Sequence, residues 1–164
     1  MIARRSSELS LCVLACVQLG CASTPAPCEA FEPAGAEAEA VIAAVDAVFA
    51  AMREHQVEAL RARVLPDAII VATQAREGAP STSRTISAED FIAGTAGDPS
   101  VTIDERFTQT PLVRVDGPVA SLWGPYEVFV EGERHHCGVD VVQLVREAGD
   151  WRVSAITYSA YACE

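Results

Sequence analysis

Residues 117–161 read GPVASLWGPYEVFVEGERHHCGVDVVQLVREAGDWRVSAITYSAY. Valine, tyrosine, phenylalanine and tryptophan dominate three runs, broken at Gly132-Glu133 and at Ala148-Gly149, where short turns are expected. β-branched and aromatic side chains suit a pleated, half-buried surface, and short turns oblige neighbouring runs to pair antiparallel. The middle run also carries His135, His136, Cys137, Gly138 and Asp140, so the register of this sheet decides which polar groups face inward.

Upstream, residues 101–115 form a fourth strand-like run, joined to the next through Asp116-Gly117, the strongest hairpin signal in the chain. The spacing predicts strands over 101–115, 119–130, 135–146 and 151–158. Before them, residues 37–63 are rich in alanine, glutamate, arginine and leucine, and Val41, Val45, Val48, Phe49 and Met52 fall on one helical face. His55-Gln56 interrupts that pattern and Leu60 resumes it, which predicts a long helix, then a short one stopped by Pro66. DAIIVAT at 67–73 reads as a buried strand, 74–85 as a polar loop, and Ser87-Ala88-Glu89-Asp90 as the cap of a short helix ending near Gly94. Helices followed by a long-strand meander are an α+β pattern, with helices gathered on one face of a bent antiparallel sheet.

This order of elements, the hairpin VDGPVASLWGPYEVFVEGERHHCGVDVVQLVREAGDWRV and the closing Gly149-Asp150-Trp151-Arg152-Val153 resemble the nuclear transport factor 2-like (NTF2-like) superfamily, and within it the SnoaL-like bacterial branch. The resemblance covers roughly residues 36–160. It implies a cone-shaped sheet packed on N-terminal helices, an α+β roll of cystatin-like type, whose mouth can hold a small apolar ligand. Such folds host isomerases, dehydratases, cyclases and transport factors, so the resemblance implies a fold and leaves the activity open. It also implies a homodimer.

Strand register nominates the interior residues. A two-residue turn at Gly132-Glu133 sets Phe129 against His136, Pro125 against Asp140 and Trp123 against Val142. A four-residue turn over 147–150 sets Leu144 against Val153, Asp140 against Thr157 and His136 against Tyr161. Trp123, Phe129, His136, Asp140 and Thr157 are therefore the expected pocket residues. His136 and Asp140, four residues apart on a strand, lie about 13 Å apart and can flank a ligand. They are the candidate acid and base, although each could equally serve only to satisfy hydrogen bonds at a pocket rim. The outer face is expected to carry Val139, Val141, Ile156 and Tyr158 as a self-association patch.

His135 and His136 are expected on opposite faces, which argues against a metal site, and no cofactor is expected. The chain has no lysine, which excludes Schiff-base chemistry. A net charge of −11 repels a phosphate backbone and argues against nucleic acid as a partner. Arg4 and Arg5 precede an apolar run and then Gly20-Cys21, the grammar of an export signal. Residues 1–20 are read as signal, 21–35 as a flexible tether and 36–164 as the folded domain. Cys21, or alternatively Cys16, is the expected lipidation site, giving an outer-membrane lipoprotein facing the periplasm and touching membrane only through its lipid. Of the remaining cysteines, Cys137 with Cys163 is one pairing and Cys28 with Cys163 another. Binding of a small apolar or aromatic molecule is the first functional expectation; a cofactor-independent isomerase or dehydratase using Asp140 or His136 is the alternative.

Overall fold

The computed structural model describes residues 35–76 and 78–163. The expected signal, all but the last residue of the tether, and Cys16, Cys21 and Cys28 lie outside the described residues. Helix α1 (Ala36–Arg53) buries Val41, Val45, Val48, Phe49 and Met52, the stripe legible in the sequence. Removing such side chains from water contributes roughly 1.5–3 kcal/mol each, which fixes the helix on the sheet. His55 takes a positive φ of 57°, which turns the chain between α1 and α2 (Val57–Arg63). Helix α3 (Ala88–Ala96) starts at Ser87, whose Oγ accepts the Asp90 backbone N–H at 3.1 Å.

Seven strands form one curved sheet in the order β2-β1-β7-β6-β5-β3, with β4 also paired to β5. They are β1 (Val64–Arg76), β2 (Ala79–Ser87), β3 (Ile103–Phe107), β4 (Leu112–Asp116), β5 (Val119–Val130), β6 (Glu133–Glu147) and β7 (Asp150–Ala160). The sheet is mixed, because β1 runs parallel to β7. Strand β2 replaces the polar loop expected over 74–85. It is an edge strand exposed along nearly its whole length, so no buried face imposes an apolar alternation on its sequence. The expected strand over 101–115 is interrupted at 108–111, and its two halves pair with successive stretches of β5. Gly124 sits opposite that interruption, where a Cβ would lie 2.8 Å from the Phe107 ring. Phe107 in turn packs on Phe49 of α1 with ring centroids 5.1 Å apart.

Two one-residue irregularities correct the expected register. The β5–β6 turn uses Glu131 and Gly132, both at positive φ, so Val130 pairs with Glu133, and a bulge follows between Val128 and Phe129. Asp140 therefore faces Gly124 rather than Pro125, and His136 faces Val128 rather than Phe129. In β7, Ser154 is an extra residue between the Leu144–Val153 and Gln143–Ala155 pairs, with its Oγ donating to the Gln143 carbonyl. Beyond it Asp140 meets Tyr158 instead of Thr157, and Tyr161 bridges Cys137 instead of His136.

Candidate functional site

A one-residue slip exchanges the two faces of a strand. Even-numbered residues of β5, Ala120, Leu122, Tyr126 and Val128, are buried under the helices. Trp123 instead lies on the outer face with 49% of its surface exposed, beside Leu112 and Val141. Phe129 carries the Arg106 guanidinium 4.1 Å above its ring, and that arginine also pairs with Glu127. Thr157 is exposed. None of the three lines the cone, in correction of the sequence expectation, while His136 and Asp140 do. Ile156 and Tyr158, expected outside, face the cone.

The cone encloses a cavity of about 400 Å³ between α1, α3 and the concave face of the sheet. Val48, Phe49, Phe91, Val128, Val142 and Ile156 give it apolar walls. Against these walls stands Asp140, only 3% exposed, the single buried charged residue among the described core. Its carboxyl is in hydrogen-bond contact with that of Glu105, which comes from β3 on the far side of β5. No ion pair joins either carboxyl to an arginine among the described residues.

Burial in an apolar cavity disfavours the charged form, and two adjacent carboxylates disfavour each other's ionisation. Burial pushes the Asp140 carboxyl up to about 7, and the contact with Glu105 offsets part of that rise. Glu105 is pushed well above the ordinary carboxylate range, first by burial and then by the Asp140 charge. Both groups are therefore shifted toward the protonated form and titrate as a pair. One partner can accept a proton while the other donates one.

Tyr126 forms the floor beneath this pair. Its ring lies across Gly138, and its hydroxyl donates to the Ser159 carbonyl at 2.9 Å. Burial, with the charges of Asp140 and Glu105, raises its pKa, so it stays a neutral donor. Gly138 is where β7 leaves the β6 ladder: the Val139 N–H donates to the Ser159 Oγ at 3.0 Å in place of a backbone carbonyl. Missing side-chain bulk at Gly138 is what leaves room for Tyr126.

His135 and His136 both reach the cavity wall, contrary to the expectation of opposite faces, and their Nδ1 atoms lie 2.9 Å apart. One ring donates and the other accepts. The His136 pKa is lowered, by burial first and by the charge of His135 second. Cys137 is bonded to Cys163, and the Cys137 and Tyr161 backbones exchange hydrogen bonds of 3.0 and 2.9 Å. The bridge closes a loop with a sequence separation of 26, a constraint worth about 3 kcal/mol against unfolding. Among the described residues no group of three or more histidines, cysteines or carboxylates is placed to hold a metal.

Glu105 escaped the sequence reading because it sits in an alternating strand, IDERF, between other charged residues. Asp104 beside it pairs with Arg53 and Arg106 pairs with Glu127, and nothing local distinguishes the one glutamate that lines the cone. Its partner lies 35 residues away in the chain.

The architecture has close counterparts among solved structures. An NTF2-like protein from Cytophaga hutchinsonii aligns over 77% of this chain and 100% of its own, with a TM-score of 0.63 and 14% identity. The fold is NTF2-like. An NTF2-like protein of unknown function from Silicibacter pomeroyi matches over 76% of this chain and 96% of its own, at 20% identity and a TM-score of 0.54. A Streptomyces avermitilis protein of the NTF2-like family, provisionally named a dehydratase, matches over 77% and 97%, at 17% identity and a TM-score of 0.55. No family model matches the chain, and no curated protein matches it. At these identities the shared property is the NTF2-like fold itself, and the chemistry must be argued from the cone.

Proposed function

We propose that the NTF2-like domain binds a small, largely apolar molecule in its cone and catalyses a cofactor-independent proton transfer on it. The observation that carries this reading is the carboxyl pair of buried Asp140 and half-buried Glu105 in an open apolar cavity, with no ion-paired arginine among the described residues to neutralise it. A carboxyl with a pKa near the working pH is both a competent base and a competent acid. In the step envisaged, the ionised partner removes a proton from the carbon next to a carbonyl, and the C–H electron pair forms a C=C bond. The protonated partner donates to the carbonyl oxygen, giving an enol that becomes the isomer when the first carboxyl returns its proton to another carbon and the O–H proton goes back to the second. Alternatively it donates to a departing β-hydroxyl, which leaves as water and completes dehydration. The Streptomyces neighbour named as a dehydratase supports this class without specifying a substrate.

The direct test places the purified domain in deuterium oxide with a panel of small cyclic ketones and β-hydroxy ketones. Nuclear magnetic resonance should show deuterium entering the position next to the carbonyl, or loss of water, faster than in buffer alone. A panel in which no compound bound in the cone exchanges faster than in buffer would leave only the binding half of the proposal.

The setting is proposed from the N-terminal sequence: an exported domain, lipidated at Cys21 or Cys16 and tethered to the outer membrane. The Cys137–Cys163 bridge supports an oxidising compartment. A homodimer through the outer sheet face is supported by the neighbouring exposed pair Leu112 and Trp123, 52% and 49% exposed, with Val141 beside them. Mass spectrometry of protein taken from the membrane fraction addresses all of these. The denatured spectrum should carry the mass of an acylated amino-terminal cysteine, and the native one twice the protomer mass with extra mass that leaves on denaturation. A bare, unacylated monomer would refute the anchor and the dimer together.

A further inference from the structure

A second cavity, of about 590 Å³, adjoins the cone at the open end of the sheet. Arg84, His135, His136 and Tyr158 line both cavities, so these four side chains form a shared wall. The two spaces differ in character. The cone is walled by aliphatic and aromatic groups, whereas the outer cavity is bordered by Gln74, Thr82 and Ser83 as well as the shared residues. Among the described residues that line the outer cavity there is no aspartate or glutamate. That is notable in a chain with 23 acidic against 12 basic residues, where carboxylates would be expected on most surfaces. Arg84 stands beside Tyr158 at the boundary of the two spaces, and its charge offsets part of the rise that burial gives the Tyr158 pKa. The disulfide holds Tyr161 and Ala162 as the opposite side of the outer cavity.

We propose that this outer cavity is an anion subsite, so that the ligand of the cone is an amphiphile: an apolar ring system inside and an anionic group at the rim, held by Arg84 with His135 and His136. The inference rests on the binding half of the reading above and adds the ligand's charge to it. A guanidinium offers paired N–H donors to a carboxylate, sulfonate or phosphate, and such charge-assisted bonds are stronger than neutral ones. The charge of the whole protein makes the claim discriminating, since a net −11 repels an anion everywhere except at a local site built for one.

Two fluorescent probes with the same carbon skeleton separate the terms: anilinonaphthalene sulfonate, an anion, and phenylnaphthylamine, its neutral counterpart. The wild-type domain should bind the sulfonate roughly tenfold or more tighter than the neutral probe, and each should displace the other. The preference should shrink as salt is added. Arg84→Met, which keeps an apolar stem on an exposed edge strand, should abolish the preference, read as the ratio of the two probes' affinities in the same protein; Arg84→Lys should retain part of it. Neutral-probe binding without any preference for the sulfonate would overturn the anion subsite and leave the cone reading standing. Failure of both probes to bind would overturn the subsite and the cone reading together. An equal loss of both probes in Arg84→Met, with circular dichroism unchanged, would assign Arg84 to the apolar wall and likewise overturn the subsite.

Discussion

Replacing Asp140 by asparagine should slow proton exchange on a bound ketone by at least about 100-fold, the usual contribution of a positioned acid or base. It should also weaken the pH dependence of stability between about pH 4 and pH 7 by removing the part that Asp140 contributes. The direction follows from the raised pKa. Asp140 goes from an ordinary value of 3.8 to about 7 in the folded protein. Between those values the folded state binds more protons than the unfolded one, so stability falls as pH rises through that interval. It is fully present below about pH 4, and the loss is complete above about pH 7. Glu105, raised in the same direction, adds to the slope.

This behaviour is opposite to that of an ordinary salt-bridged aspartate, whose contribution is lost on acidification. Thermal unfolding of the wild type at pH 5 and pH 8 should therefore differ by on the order of 10 °C in favour of pH 5. Asparagine at position 140 has no proton to take up, and its amide can donate to Glu105, so the two melting temperatures should draw together. A wild-type melting temperature that is flat or rises from pH 5 to pH 8 would contradict a buried carboxyl pair. Exchange within threefold of wild type in Asp140→Asn would remove Asp140 from the reaction even if the pH profile behaves as expected.

Gly138→Val should cost more than about 3 kcal/mol of stability, at or beyond the upper end of what overpacking does in a folded core. A Cβ at this position would lie 1.8 Å from the Ser159 carbonyl oxygen and 2.7 Å from the Tyr126 ring. The first of these is backbone and cannot swing away; the second is the floor of the site. Relief requires β7 to move off β6 near the Cys137–Tyr161 bridge, breaking the hydrogen bonds from the Tyr126 hydroxyl and the Val139 N–H to Ser159. Urea unfolding measures the loss, and Gly138→Ala should already show most of it because the clash begins at Cβ. An alanine variant as stable as wild type would mean that the two strands are separated more widely here than the structure has them.

The α+β order, the stripe of α1, the break at His55-Gln56, the Ser87 cap and the long-strand meander were all legible in the chain, because each rests on local periodicity or local hydrogen bonding. Strand β2 was not, since an exposed edge has no buried face to leave a pattern. The parallel pairing of β1 with β7 joins segments far apart in the chain, and no turn residue announces it.

The candidate site divides in the same way. Asp140 could be nominated from β6 alone, because inward and outward residues alternate from Gly138 onward, whereas at His136 the bulge brings His135 to the same wall. Trp123, Phe129 and Thr157 could not be placed, because their facing depends on an inter-strand register that Glu131-Gly132 and Ser154 each move by one residue. Sequence by itself determined the α+β class, the helical stripe, the long-strand meander and one half of a carboxyl pair. Only the tertiary structure decided that Glu105 is the other half, and that Arg84 and the two histidines share a wall between the cavities. Charge coupling acts through a few ångströms of low-dielectric space, and the chain order carries no record of that distance until the sheet has curled.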